Sequence, residues 1–476
     1  MTELPAPAAQ RKRIIAAGVI GNMLEWYDFA IYGYFAGQIG RTFFPGKDEV
    51  TQVLSAFGIF AVGFLMRPLG GAVVGYIGDR FGRQAALTFS VTAMAVPTFL
   101  VGVLPGYQTL GLAAPIILTL LRMLQGVSVG GECPTSYVFL FEQAPPGRRG
   151  LSGAIATCGN CGGVLLGSLT GSVIASALPT AAIENWAWRI PFIIGLLVGL
   201  VGYLLRRQLH LAPAQTKPTR SPLIEALRDH RPLLLWLAGL TVFGAVGFYL
   251  MFLYIVSWLQ FVDGIAPAHA LEINSVSMAA LIPVILTTGW LSDKVGRKPL
   301  LVLSLFLGLF GAFPLLRLMH HTNPTMIMAG QLGFSLIIGM FWAIIPSAMV
   351  EATPQKVRCS TLALGFNVTA GIVGGLTPLV ATWLVHRTAD DFSPAYMIMA
   401  AAAISLLAMV FYREPYPSEV PACSARSSRL NRSSTFSIQR AKSSDRAHSS
   451  ESSESSLTRS TATRESGHSA SAIGAP

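Results

Sequence analysis

The chain has 476 residues, 52% of them hydrophobic and only 12% charged, with a mean hydropathy of +0.55. A soluble domain carries about 25% charged residues, so a water-exposed surface over most of the chain is excluded. The net charge of +11 does not mark a nucleic-acid face, because the basic residues fall in short clusters between apolar runs.

In chain order, apolar runs of roughly 20 residues, long enough to cross a bilayer as helices, are expected near 14–39, 52–77, 86–104, 112–141, 150–178, 188–205, 234–260, 272–292, 299–318, 326–350, 358–386 and 394–412. The predicted fold is therefore an all-α integral membrane protein with twelve spans in two six-helix bundles. Arg11, Lys12 and Arg13 ahead of the first run resemble a signal peptide. However, Glu25 and Asp28 interrupt the run and no small-residue cleavage site precedes them, so it is read as a retained span. The remaining basic clusters sit in alternate loops, which puts both termini in the cytoplasm by the positive-inside bias. The expected divisions are a short N-terminus (1–13), a bundle (14–205), a polar central loop (206–233), a second bundle (234–413) and a Ser/Arg-rich tail (414–476). The tail has too few apolar residues to build a core and is expected to be disordered.

The two halves echo each other. GYIGDRFGRQAAL at 75–87 returns as GWLSDKVGRKPLL at 289–301, each between the second and third runs of its half. EQAPPGRRG at 142–150 is matched more loosely by EATPQKVRC at 351–359. Parallel six-span repeats with a path between them are transporter architecture. The paired G-x-x-x-D-[RK]-x-G-R loops resemble the signature of the major facilitator superfamily. GNMLEWYDFAIYG (21–33), FLMRPLGG (64–71), RMLQGVSVGGE (122–132), WAWRIPF (186–192) and GFNVTAGIVGGLTP (365–378) resemble its metabolite:proton symporter branch. That branch carries proline and betaine, citrate, oxoglutarate or shikimate. The resemblance covers residues 14–412, implies proton coupling, and leaves the tail aside. It also implies that Asp79 and Asp293, with Arg83 and Arg297 beside them, engage a helix N-terminus and basic partners to close the cytoplasmic side. Arg149 and Arg358 are the expected partners.

Ionised side chains at the bilayer centre cost about 2.5–3.5 kcal/mol on insertion scales and should face the interior. Glu25 and Asp28, three residues apart, share a helix face. Arg67 lies roughly 18 Å up its span from Asp79, and Glu132 about 15 Å from Arg122. Gln125 and Glu132, seven apart, share nearly one face. Mutual pairing would explain some of these charges as helix glue, but not a surplus acid or their confinement to one half. An arginine fork suits a substrate carboxylate, and desolvation favours a carboxyl's neutral form. Asp28 and Glu132, then Glu25, are thus the candidate proton carriers. Arg122, then Arg67, are the candidate substrate contacts, with Gln125 beside them. The second half offers Tyr249, Tyr254, Trp258 and Asn367 as possible cavity lining, or alternatively as packing, interfacial or interhelical residues.

No phosphate-loop motif, H-E-x-x-H or G-x-S-x-G is present. The C-x-x-C of Cys158 and Cys161 reads as helix-packing small residues. The chain is expected to be no enzyme and to need no cofactor or metal. Its expected partners are a small solute, protons and lipid, without nucleic acid or an obligate protein partner. The favoured function is proton-coupled uptake of a small carboxylate-bearing solute across the cell inner membrane. The alternatives are a proton-independent facilitator or exporter on the same fold, or a solute sensor that has lost transport.

Overall fold

The computed structural model describes residues 8–412 apart from 47, 82, 131, 143, 146, 208–227, 229 and 355–357, and all regular structure there is helical. The central loop and the tail thus lie largely or wholly outside the described residues. The first span is Ala8–Tyr34, extended past Phe35 by Ala36–Phe43. The second is broken at Met66 into Glu49–Leu65 and Arg67–Phe81. Asp48 starts it as N-cap, accepting from the Thr51 backbone N–H at 3.0 Å. Hydrogen bonds from the Thr51 hydroxyl and amide hold the Asp48 carboxyl below its ordinary value.

The third span is Arg83–Val103, the fourth Ala113–Val129 with Glu132–Glu142, the fifth Arg149–Ala177 and the sixth Ile190–Arg207. The second half runs Arg231–Phe261, Pro267–Val295, Arg297–Met319, Pro324–Ala352, Arg358–Thr388 and Ser393–Val410. Among the described residues, nine helices meet the length and hydropathy needed to cross a membrane, and Thr88–Val103 and Ala113–Val129 are shorter apolar pieces.

Periodicity alone did not reveal two features. The seventh and eleventh spans, the first and fifth of their half, each contain a buried π-helical stretch, Tyr249–Tyr254 and Thr369–Gly374. Such stretches widen the turn and recur at functional sites. The second and fourth spans meet backbone to backbone. A Cβ on Gly126 would stand 1.8 Å from the Gly63 carbonyl oxygen, and one on Gly130 2.1 Å from that of Arg67. Only hydrogen fits there.

The halves are joined at both ends. At the basic end, Asp293 accepts from the Gly150 and Leu151 amides at 2.7 and 3.0 Å, capping the fifth span. Those amides belong to the free N–H set of a helix start, where an anion is favoured. Arg297 donates to Asp293 and to Glu351, both at 3.0 Å. Arg358 reaches Glu142 at 3.0 Å, and Ser347 Oγ donates to the Arg149 carbonyl at 2.9 Å. Near the opposite end, Ser168 Oγ donates to the Leu271 carbonyl at 3.0 Å and lies 2.8 Å from Ser275 Oγ. There Asn274 Nδ2 donates to Tyr34 Oη at 2.7 Å, and Tyr34 donates to the Phe252 carbonyl at 2.9 Å.

Candidate functional site

Glu25 and Asp28 point from one face of the first span into two separate ion pairs. Arg67, the first residue after the break at Met66, is fully buried and pairs with Glu25. Its guanidinium carbon lies 4.8 Å from the Phe64 ring centroid and 5.5 Å from that of Phe29, so aromatic faces cover part of the cation.

Asp28, 0% exposed, is more elaborately held. Arg122 Nη1 donates to its Oδ2 at 2.5 Å, and Gln125 Nε2, a turn further along the fourth span, donates to Oδ1 at 2.9 Å. Thr98 Oγ1 on the third span lies 2.7 Å from the same Oδ1 and 2.8 Å from the Met94 carbonyl. One hydroxyl proton serves only one of those two acceptors at a time. The Arg122 guanidinium carbon sits 3.7 Å from the Tyr32 ring centroid.

These pairs leave donors over. Among the described residues, Arg67 Nε and Nη1, and Arg122 Nε and Nη2, are buried without a hydrogen-bond partner, as is the acceptor Gln125 Oε1. Native interiors leave few such groups. A small cavity beside Glu25 is lined by Ser90, Met94, Ser128 and Val129.

The other expected residues are dispersed. Tyr249 does approach the pairs: its ring meets Phe64 edge-on at 5.4 Å. Tyr254 and Trp258 lie progressively further along the seventh span, Tyr254 against Phe57 at 6.1 Å and Trp258 donating to the Asp391 carbonyl at 3.1 Å. Asn367 donates to the Gly130 carbonyl at 2.7 Å and so links the eleventh span to the fourth. Of the two roles open to Asn367, the contact described here is the interhelical one, and Tyr254 and Trp258 are packed as buried residues. The side chains of Glu132, Asp79 and Arg83 lie outside the described residues. Each of the two acids described at this depth has an arginine; the third, Glu132, lies outside the described side chains. Of the gating set, Asp293, Arg297 and Arg358 make the contacts given above, whereas the Arg149 guanidinium lies over the Phe141 ring at 5.0 Å. Thr98, Tyr32 and Trp26 escaped sequence reasoning, for a threonine or an aromatic in an apolar run carries no signal of its own.

Comparison with known proteins gives a consistent picture. A family described as Sugar (and other) transporter matches residues 14–214, and one described as Major Facilitator Superfamily matches 264–444. The proline/betaine transporter of Escherichia coli (strain K12) is 34% identical over 433 residues, covering 87% of this chain and 86% of its own length. The glycine betaine/proline/ectoine/pipecolic acid transporter of Dickeya dadantii is 34% identical over 432 residues, with the same coverage, 87% and 86%. Among solved structures, a D-xylose–proton symporter aligns with a TM-score of 0.68 at 17% identity, covering 86% of this chain and 98% of its own. The inward-open xylose transporter from E. coli aligns at 0.67 and 16% identity, with 86% and 98% covered. At such identities the structural likeness speaks for the fold alone.

Proposed function

This chain belongs to the major facilitator superfamily, in its metabolite:proton symporter branch, and we propose that it takes up a small zwitterion of the proline or betaine kind together with a proton. It is a multi-pass membrane transporter and not an enzyme. The solute class draws support from the solutes for which the relatives in E. coli and D. dadantii are named.

The observation that carries the proposal is the buried Arg122–Asp28 pair. Empty, the pair is neutral. A proton on Asp28 alone strands the Arg122 cation, and a solute carboxylate on Arg122 alone sets two anions against one cation there, the solute's own ammonium being held away from the pair. Breaking a buried pair from one side costs about 3–5 kcal/mol. When proton and carboxylate arrive together, the carboxylate replaces Asp28 as the partner of Arg122 and the balance is restored. Both half-loaded states are thus penalised when the halves rock about the site, and that penalty is the coupling. The unpartnered Arg122 Nε and Nη2 supply the extra donors a second carboxylate needs. Thr98 follows the proton: its hydroxyl donates to ionised Asp28 and turns to the Met94 carbonyl once Asp28 carries the proton.

Glu25 and Arg67 form a second pair of the same kind, and Glu132 remains a further candidate acid. In this reading the basic end and both termini face the cytoplasm, in the cell inner membrane. The Asp293, Arg297 and Arg358 contacts close that side, with Asp79, Arg83 and Arg149 as their counterparts.

The test is uptake by the full chain in proteoliposomes with an alkaline interior. Proline or glycine betaine should accumulate above equilibrium, and a protonophore should reduce the gain to equilibration. Uptake that equilibrates irrespective of the gradient would make the protein a facilitator, and solute binding without flux would make it a sensor.

A further inference from the structure

A narrow cleft between the halves is lined by Trp26 of the first span, Thr241 and Tyr249 of the seventh, Trp342 of the tenth, and Phe366 and Thr369 of the eleventh. We propose, resting on the zwitterion reading above, that this cleft, which as it stands has room for about one water (about 10 Å³), widens to seat the solute's cationic group and selects a quaternary or ring ammonium.

Three observations support it. The lining holds four aromatic rings and no charged side chain. The rings stand at angles to one another: Trp26 and Tyr249 have centroids 5.9 Å apart at 47°, and Trp342 and Phe366 6.1 Å apart at 76°. Phe248 bridges the two sets, 5.2 Å from Trp26 and 6.3 Å from Trp342. Trp342 is fixed by its indole N–H, which donates to the Gly244 carbonyl at 3.2 Å. Second, the two threonine hydroxyls in the lining are engaged by backbone: Thr241 donates to the Leu237 carbonyl at 2.9 Å and Thr369 to that of Ala238 at 3.2 Å. They offer an anion little. Third, the cleft adjoins the ionic site. Trp26 follows Glu25, and the Phe64 ring touches Tyr249 at 5.4 Å while lying 4.8 Å from the Arg67 guanidinium carbon. The Trp26 indole N–H is buried and has no hydrogen-bond partner among the described residues, leaving it free to donate to the solute's own carboxylate.

Ring faces attract cations, most strongly when water is excluded, and quaternary ammonium is the group for which aromatic surroundings are best suited. A second carboxylate entering the same space would meet the negative ring faces and, with the Trp26 N–H already given to the first, too few donors to replace its water. The geometry therefore separates zwitterions from di- and tricarboxylates, which arginines alone do not. Because the rings come from both halves, the ammonium also draws the halves together.

The decisive measurement is equilibrium binding to the detergent-purified full chain, with no gradient, using glycine betaine, tetramethylammonium and succinate. Tetramethylammonium should compete with glycine betaine and succinate should not. Trp26→Leu and Phe366→Leu should each weaken glycine betaine binding roughly tenfold or more, while Trp26→Phe, which keeps a ring, should stay within about threefold of wild type. Leucine variants that stay monodisperse with unchanged melting, yet bind glycine betaine as wild type does, would overturn the assignment. So would succinate competing better than tetramethylammonium, or no ammonium compound binding at all. Ring-dependent binding without proton-driven uptake would sink the symport reading and leave the cleft standing. Proton-driven uptake indifferent to the leucine variants would do the reverse.

Discussion

The two halves share a repeat but not a chemistry. In the first, two arginines and two acids meet as buried ion pairs at the centre of the bundle. In the second, the charged residues gather towards helix ends, and the interior polar contacts described are made by neutral groups, such as Gln331 donating to the Met251 carbonyl at 2.5 Å. Its irregularities lie in the backbone instead, as the two π-helical stretches. A carrier needs one partner that holds charge in fixed geometry and one that can repack as the path opens. In the mechanism proposed above, the duplicated halves divide those tasks. Neutral contacts suit the mobile half because breaking them strands no ion.

Removing one ion tests the division most severely. Arg122→Ala leaves Asp28 uncompensated, so uptake should fall at least about a hundredfold and the fold should lose about 3–5 kcal/mol. Pairing the changes as Asp28→Asn with Arg122→Gln should recover most of the stability, read by thermal melting in detergent, without restoring accumulation. If it recovers accumulation too, the ions are glue and the halves are not specialised.

Asp28→Asn alone should bring the accumulation ratio down to about one while solute exchange across the membrane persists, because exchange needs no change of protonation. Undiminished uphill uptake would remove Asp28 from the mechanism. Arg122→Lys keeps the charge but loses the planar fork and should raise the apparent KM about tenfold. An unchanged KM would argue against direct contact with solute.

Smaller effects are expected at the basic end, where both halves contribute. Asp293→Asn weakens bonds to two amides and to Arg297, and should shift the population towards opening there by about 1–3 kcal/mol. Spin-label distances across the basic end would read that shift. Glu142→Gln touches a more exposed pair, Glu142 being 45% exposed and Arg358 16%. It should change stability or opening by less than about 1 kcal/mol.

Much of the architecture was legible in the sequence because lipid thickness fixes span length and an interrupted apolar run is easy to see. The acids of GNMLEWYDFAIYG and the arginines at 67 and 122 were conspicuous for the same reason. Their pairing was not legible. Which arginine meets which acid depends on the rotation and height of separate helices, and that is decided by contacts such as the glycines between the second and fourth spans. Thr98 became visible only once its hydroxyl was placed beside Asp28. The aromatic cleft was hidden because Trp26, Trp342 and Phe366 obey the same apolar pattern as any core residue. Tyr249, Tyr254 and Trp258 could be read as lining or as packing, because each further turn of helix moves a side chain about 5.4 Å along the axis and the sequence does not say where the path ends.

The glycine contacts have a consequence for how this carrier could change its diet. With Gly126 against Gly63 and Gly130 against the Arg67 carbonyl, any side chain larger than hydrogen would wedge the two arginine-bearing spans apart. Even an alanine there should disturb anion capture while touching no ligand. The positions facing the cleft, by contrast, can trade one ring for another without moving a backbone. Selection for a new nutrient, in nature or at the bench, should therefore find its successful variants among those rings and leave that seam untouched.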